Sequence, residues 1–206
     1  GVWYMLYITF EGSGYETRIA SSPDLLRWTT QGTVLRRGSG GWDDRQVAGY
    51  AALEDFRWGG TYELGRYDGL YWLTYLGGAL DGYETDPLAT GVAWTDDPSS
   101  PREWTRNPGN PVLHRDQPGV RAFESVTLYK STVIRDRAKT LGAPFVMFYN
   151  GKTGESGTSV ERIGMAVSDN MTTWRRYGDG PVIDNGSGIS GDPQITRIGD
   201  VWVMFY

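Results

Sequence analysis

The sequence predicts an all-β fold and, within that class, a β-propeller. Its apolar segments are four to six residues long, rich in aromatic and β-branched residues, and bounded by Gly, Pro, Asp or Asn, which is typical of strands. No stretch of a dozen residues has the apolar spacing of an amphipathic helix. One arrangement of strands recurs along the 206 residues, so we treat 1–206 as a single domain.

The repeated unit opens with an aromatic strand. This strand occurs at four places: Trp3–Tyr7, Tyr71–Tyr75, Phe145–Tyr149 and Trp202–Tyr206. In three units a second strand ends at Ala20, Ala93 or Ala166, and successive alanines are 73 residues apart. A polar turn, a tryptophan and a short β-branched strand close each unit. Each unit therefore forms an antiparallel sheet of about four strands, and radial repetition of such sheets builds a propeller. A stacked β-sandwich is the alternative, which three matched units in the same order disfavour.

Composition and charge exclude several classes of function. Lys and Arg total 20 and Asp and Glu 25, and the resulting net charge of −5 argues against nucleic acid as a partner. No stretch approaches the roughly 20 apolar residues of a membrane-spanning helix. The sequence has no Cys and a single His, His114, so we expect no metal site, and nothing indicates a cofactor. The 13 Tyr and 9 Trp suit a surface that binds through aromatic rings.

Both ends of the sequence lie in strand-like runs, Val2–Tyr7 and Val201–Tyr206. A domain rarely begins or ends in mid-strand, because an open strand edge invites unwanted pairing. We therefore expect the chain to be an incomplete piece of a propeller, truncated at both ends and containing about three to four blades.

Three acids occupy similar places in successive units, ahead of the aromatic strand. Asp55, Glu124 and Asp192 are 69 and 68 residues apart, so we expect them to meet at one mouth of the central channel. Converging carboxylates repel each other, so at least one should have a raised pKa and stay protonated near neutral pH. A protonated carboxylic acid beside an ionised one is the pair that cleaves glycosidic bonds. The alternative is that these acids are solvated turn residues or strand caps.

Over nearly its whole length the sequence resembles the five-bladed β-propeller glycosidases, a superfamily that includes arabinanases and xylosidases, invertase-like fructosidases and mannoside phosphorylases. The resemblance rests on the aromatic strand, the strand ending in alanine, the turn of the Ser22-Pro23-Asp24 type, the following tryptophan and the Pro111-Val112-Leu113 segment. It implies a five-bladed propeller that acts on carbohydrate with three carboxylic acids.

The resemblance also implies roles for individual acids. Ala122-Phe123-Glu124-Ser125 is similar to the stretch around the acid donor of the invertase-like members, which implies that Glu124 is the general acid. Leu53–Arg57 is similar to the segment holding the aspartate that orients substrate and tunes the pKa, which implies that role for Asp55. It is also similar to the segment that holds the proton donor of mannoside phosphorylases. The base would then lie upstream of Gly1, with Asp192 as a substitute.

Candidate substrate contacts lie near these acids. Trp42 could stack on a sugar while Asp43 or Asp44 binds its hydroxyls, although an ordinary turn is the alternative. Arg57 could hold a hydroxyl or a phosphate, or form a plain salt bridge with its neighbour. Asn150, near the end of the third aromatic strand, completes the set.

The predicted function is hydrolysis of glycosidic bonds in an oligosaccharide or polysaccharide by carboxylic acid and base. Two alternatives remain open on the sequence alone. One is a glycoside phosphorylase, in which phosphate replaces water, and the other is a non-catalytic propeller that binds carbohydrate.

Overall fold

The computed structural model describes residues 1–100, 102–154, 160–186 and 188–206, and these form four antiparallel sheets. Sheet one contains β1 (Trp3–Phe10), β2 (Tyr15–Ser22) and β3 (Thr29–Leu35). Sheet two contains β4 (Gln46–Ala51), β5 (Tyr71–Gly78), β6 (Leu88–Thr95) and β7 (Thr105–Arg106). Sheet three contains β8 (Thr127–Arg135), β9 (Phe145–Thr153), β10 (Val160–Ser168) and β11 (Arg175–Arg176), and sheet four contains β12 (Gln194–Ile198) and β13 (Val201–Phe205). The all-β prediction is confirmed.

Helical structure within the described ranges is limited to one 3₁₀ turn, Ala122–Glu124, just ahead of β8. No helix in those ranges is long and apolar enough to cross a membrane. The same residues contain no cluster of His, Cys, Asp and Glu that could hold a metal ion.

Strand pairing reproduces the repeat found in the sequence. The alanine near the end of the second strand of each unit pairs with the residue two places after the tryptophan. These pairs are Ala20 with Thr30, Ala93 with Arg106, and Ala166 with Arg176. The three units are therefore one structural design with the same register.

The first strands of sheets two and three run in the same direction. At the beginning of β8, the Thr127 hydroxyl accepts a hydrogen bond from the Leu88 amide (3.0 Å). Leu88 pairs with Gly78, which itself pairs with the first residue of β4. Just past the last residue of β4, the Leu53 amide donates to the Val133 carbonyl near the end of β8 (3.4 Å).

The first strand of sheet four follows the same direction. Just before β12, the Asp192 amide donates to Asn150 Oδ1 (2.8 Å), and Asn150 pairs with Tyr129 near the beginning of β8. Near the end of β12, Arg197 forms a parallel bridge with Arg57, which follows β4. We call the end of the sheets at which β4, β8 and β12 begin the start end, and the opposite end the far end.

Two glycines let the loop ahead of each first strand pack directly on the aromatic strand. A Cβ at Gly77 would lie 2.3 Å from the Trp42 ring, and a Cβ at Gly151 would lie 2.7 Å from the Phe123 ring. Each glycine is two residues beyond a fully buried tyrosine, Tyr75 or Tyr149. The absent side chains therefore leave the space that Trp42 and Phe123 occupy.

Replacing Gly151 by Ala should destabilise the fold by about 1–3 kcal/mol, because the new methyl group overlaps Phe123 and the Cβ of Glu124. The control is Gly180→Ala, where a Cβ would meet open space. Urea unfolding monitored by tryptophan fluorescence compares the two. Equal midpoints for both variants would contradict this packing.

Candidate active site

Glu124 is completely buried and is held by four hydrogen-bonding groups. Its Oε1 accepts from the Arg121 amide (3.1 Å), from Arg121 Nε (3.3 Å) and from Arg176 Nε. Its Oε2 accepts from a second guanidinium nitrogen of Arg121 (3.3 Å) and from the Tyr149 hydroxyl. The two arginines continue outward to backbone carbonyls, including that of His114 (2.9 Å). The carboxylate thus joins the 3₁₀ turn to β9 and β11.

Asp43 forms the same kind of cluster in sheet two. It is buried, and its Oδ2 accepts from the Tyr75 hydroxyl (3.0 Å) and from Arg106 Nε (3.0 Å). Its Oδ1 accepts from the Ser39 hydroxyl (2.6 Å). Tyr75 and Arg106 occupy the repeat positions of Tyr149 and Arg176. The cluster of a buried acid, a tyrosine and an arginine therefore belongs to the repeated unit.

The pKa of Glu124 lies below its ordinary value. Burial alone would raise it, but the hydrogen bonds from Arg121 and Tyr149 and the charges of Arg176 and Arg121 outweigh that effect. A general acid needs the opposite shift, and a side chain with no exposed surface cannot reach a substrate. The geometry of Glu124 is that of a structural carboxylate.

Asp55 lies at the far end, past the last residue of β4. Arg57 Nε and a second guanidinium nitrogen bind its two oxygens at 2.8 and 2.9 Å, and the Thr61 amide adds a third bond (2.9 Å). Arg57 and then Thr61 hold the pKa of Asp55 well below its usual range. A carboxyl that ionises so easily is a poor proton donor. Arg57 is in turn occupied by this salt bridge.

The structure does not bring Asp55, Glu124 and Asp192 together, so the predicted meeting of three acids at one mouth is wrong. Asp55 follows β4, whereas Glu124 precedes β8 and Asp192 precedes β12, which puts Asp55 at the opposite end. The reason is that the first strand of sheet two is Gln46–Ala51, which lies before Asp55 in the chain. The position equivalent to Glu124 is Asp43.

The Trp42–Asp44 loop is also committed to packing. The Trp42 ring stacks on Tyr75 with ring centres 5.5 Å apart, and Asp43 is buried in its cluster. Asp44 accepts from the Gly40 amide (2.7 Å) and pairs with Arg45 (3.0 Å). The predicted stacking and hydroxyl-binding groups of this loop are therefore used within the protein.

A different group of charges meets at the start end. Lys130 Nζ lies 3.3 Å from Glu84 Oε2 and 3.4 Å from Asp192 Oδ1. The two carboxylates therefore lie on the same ammonium group and close to each other. Lys130 follows Tyr129, and its ammonium also lies 5.1 Å from that ring. Asp192 is two-thirds exposed and Glu84 about one-fifth, so the group opens to solvent.

Glu161 adds a third carboxylate to this group. Its side chain is buried, and its Oε2 accepts from Asn150 Nδ2 (3.1 Å). Burial, and after it Glu161, raises the pKa of the Tyr129 hydroxyl, which places that hydroxyl and Glu161 near each other. Asn150 Oδ1 accepts a hydrogen bond from the Asp192 backbone amide (2.8 Å). Asn150 thereby fixes Glu161 and Asp192 relative to each other, and both predicted residues, Asn150 and Asp192, lie in this site.

Glu84 has a pKa shift opposite in direction to those of Glu124 and Asp55. Its partial burial raises the pKa, the Lys130 ammonium opposes that rise, and the charges of Asp192 and Glu161 raise it further. The pKa of Glu84 consequently lies above its ordinary value. Burial lowers the pKa of Lys130, but Glu84 and Asp192 raise it, so the ammonium stays charged.

The backbone is strained at the three residues whose charges meet. Glu84, Lys130 and Asp192 have φ values of 45°, 48° and 54°, in the left-handed region that favours glycine. Strain of about 1–3 kcal/mol for each such residue persists only where the surroundings impose it, and it concentrates at functional sites.

Aromatic rings border this site. Tyr50 and Tyr15 have raised pKa values, for which burial is the first cause and the charge of Glu84 the second. Tyr83 precedes Glu84 and is mostly exposed, with its ring centre 5.8 Å from Tyr15 and 6.1 Å from Phe10. Sequence reasoning missed Glu84 and Glu161. The available signal was that each lies between the aromatic strand and the alanine of its unit.

Two solved structures match nearly the whole chain at 44% sequence identity. One is a complex of BT0996 with RGII, with a TM-score of 0.90, and the other is described as "Glycoside hydrolase", with a TM-score of 0.89. Each match covers 98% of this chain and 61% of the other, so the chain spans 61% of the length of these relatives.

A more distant match is "The GH130 family of mannoside phosphorylases contains glycoside hydrolases that target beta-1,2 mannosidic linkages in Candida mannan". It is 18% identical, with a TM-score of 0.68, and covers 100% of this chain and 58% of the other, a likeness that shows the fold alone. The sequence matches no protein-family model and no curated protein. The structural neighbours confirm the resemblance to propeller glycosidases.

Replacing Glu124 by Gln should destabilise the fold by about 3–5 kcal/mol, because two buried guanidinium groups lose their counter-charge. The control Glu11→Gln removes an exposed pair with Arg18 (3.5 Å) and should change stability by less than about 1 kcal/mol. Urea unfolding at pH 7 measures both. A loss for Glu124→Gln no larger than for Glu11→Gln would contradict the structural role.

The effect of Glu124 should depend on pH in one direction. Because its pKa is lower in the folded state, ionised Glu124 stabilises the fold above the ordinary value, and that stabilisation is lost as pH falls through the folded pKa. The difference in unfolding free energy between wild type and Glu124→Gln should therefore be full at pH 7 and shrink below about pH 4. Unfolding curves across this range test it, and a gap that widens in acid would refute it.

Proposed function

We propose that this chain carries the catalytic carboxyl groups of a glycoside hydrolase, with Glu84 as general acid and Glu161 as the second carboxyl group of the pair. The single observation behind this proposal is the raised pKa of Glu84 beside two other carboxylates at a solvent-open site. Asp192 and Asn150, both candidates from the sequence, are part of the proposed site, where Asp192 would contact the substrate rather than act as the base. Asp55 and Glu124 are not part of the proposed site, because hydrogen bonds from arginine lower the pKa of each.

The chemistry needs two carboxyl groups in opposite protonation states. Glu84, whose pKa is raised by partial burial and by the neighbouring carboxylates, would give its proton to the glycosidic oxygen as the bond to the sugar breaks. Glu161 is the proposed second carboxyl group, and Asn150 holds it through a hydrogen bond from Nδ2 to Oε2 (3.1 Å). Its carboxylate form would attack the sugar carbon or activate the water that does so.

Lys130 would tune this pair. Its ammonium contacts Glu84 and limits how far the pKa of the acid rises. It also pairs with Asp192. Because Asp192 is the most exposed carboxylate of the site, it would still accept a hydrogen bond from a substrate hydroxyl. The exposed rings of Tyr83 and Phe10 supply apolar faces of the kind on which sugar rings pack.

The similarity to glycoside hydrolases supports this function, and the order of the sheets supports a propeller. We propose that sheets one to four are consecutive blades of a five-bladed propeller, with β4, β8 and β12 lining its channel. The remaining length of the relatives is enough to complete the ring. The predicted carbohydrate substrate would enter at the start end.

Replacing Glu84 by Gln should lower kcat/KM for an alkyl glycoside by at least about 10²-fold in the active protein, because a poor leaving group needs its proton. Hydrolysis of a dinitrophenyl glycoside, whose leaving group needs none, should fall much less. The matched control Asp96→Asn alters an exposed acid just past β6, outside that group of charges, and should have no effect.

An equal fall in kcat/KM on both substrates would show that Glu84 is not the general acid. Product analysis with and without inorganic phosphate accompanies the assay. If a sugar phosphate forms when phosphate is present, the reaction is phosphorolysis and not hydrolysis.

Replacing Lys130 by Met should move the basic limb of the kcat/KM profile to higher pH. Lys130 lowers the pKa of Glu84, so its loss lets that pKa rise and keeps the acid protonated further into the alkaline range. A pH–rate profile of the variant and of wild type checks the direction. A basic limb that moves to lower pH would contradict the assignment of Glu84.

A further inference from the structure

A second cavity lies at the far end, away from Glu84 and Glu161. Its volume is about 630 Å³ and it opens to solvent. Five arginines contribute to its lining: Arg57, Arg66, Arg135, Arg137 and Arg197. The nine residues of β8 separate the two ends by roughly 25–30 Å at about 3.3 Å per residue. One sugar unit therefore cannot occupy both sites.

The charges of this cavity do not balance. The acids in its lining are Glu54, Asp55 and Glu63, and Asp55 forms a salt bridge with Arg57. Burial raises the pKa of Glu54, which weakens its negative charge further. With Asp200, which pairs with Arg197, five guanidinium groups face at most four carboxylates, so the cavity keeps a net positive charge that favours anions.

Two of the arginines have unused donors. Among the described residues, no ion pair or hydrogen bond involves the Arg137 guanidinium. Arg197 pairs with Asp200 through one terminal nitrogen (3.0 Å), while its Nε is buried without any partner. The Arg197 side chain is partly exposed, so its terminal nitrogens, like those of Arg137, can donate to an anionic ligand in the cavity.

The cavity also offers an aromatic face. Trp202 lines it beside Arg197. The backbone brings these parts together, since the Trp58 amide donates to the Arg197 carbonyl (2.9 Å) and the Arg197 amide donates to the Phe56 carbonyl (2.8 Å). An indole face beside guanidinium forks suits a ligand with both an apolar ring face and a carboxylate.

We propose that this cavity is a binding site for a carboxylate-bearing sugar, with Arg137 and Arg197 holding the carboxylate and Trp202 packing on the ring. The site is separate from the proposed chemistry and does not depend on it. It would let the protein hold an acidic saccharide at one end while glycosidic bonds are cleaved at the other.

The test is an NMR titration that follows the indole N–H signal of Trp202, assigned by its loss in Trp202→Phe. D-galacturonate should shift this signal saturably, and neutral D-galactose at the same concentration should not. Arg137→Gln and Arg197→Gln should each weaken the binding by about tenfold, the effect of losing one charge-assisted hydrogen bond. Arg27→Gln, which alters an exposed arginine between β2 and β3, is the matched control and should bind as wild type does.

Three results would overturn the proposal. One is no saturable shift with galacturonate, and a second is equal binding of galactose. The third is inorganic phosphate binding as tightly as galacturonate with no loss in Trp202→Ala, which would make the site one for simple anions. Glu84→Gln should leave galacturonate binding unchanged, so failure of the proposed catalysis and failure of this site are measured separately.

Discussion

The pairing of a buried carboxylate with a tyrosine and an arginine is the interaction on which the start end of this structure depends. A carboxylate removed from water must be matched by donors, or the fold loses several kcal/mol. In sheet three Glu124 is matched by Arg121, Arg176 and Tyr149, and in sheet two Asp43 is matched by Arg106 and Tyr75. Each cluster ties the loop ahead of the first strand to the second and fourth strands, so the whole sheet is fixed at one end.

Glu84 and Glu161, the acids proposed for catalysis, come later in each repeated unit than these buried acids. Glu84 and Glu161 both follow the aromatic strand of their sheets, and the rigid frame brings them to the same opening as Asp192. The strained backbone at Glu84 and Lys130 is consistent with a frame that imposes positions on its neighbours. Two kinds of carboxyl result at one end of the molecule. The pKa of Glu124 is lowered by its arginine and tyrosine partners, whereas that of Glu84 is raised by partial burial and by neighbouring carboxylates.

The sequence predicted the strands and the repeat because both depend on local pattern. The aromatic strands, the alanine register and the all-β class are all present, and Asp192 and Asn150 lie in the candidate site. The error concerned Asp55, because the long insertion between β4 and β5 moved it behind the first strand of its sheet and so to the far end. The burial of Glu124 was also beyond prediction, since Arg176, which neutralises it, is 52 residues away in sequence.

The most direct test of this account is a pH titration of the glutamate side chains by carbon-13 NMR. The ordinary value for a glutamate in this context is 4.5. The account requires Glu84 to titrate above that value and Glu124 to titrate below it, in the same sample. If Glu124 titrates above it and Glu84 at or below it, then the proton donor has been assigned to the wrong residue.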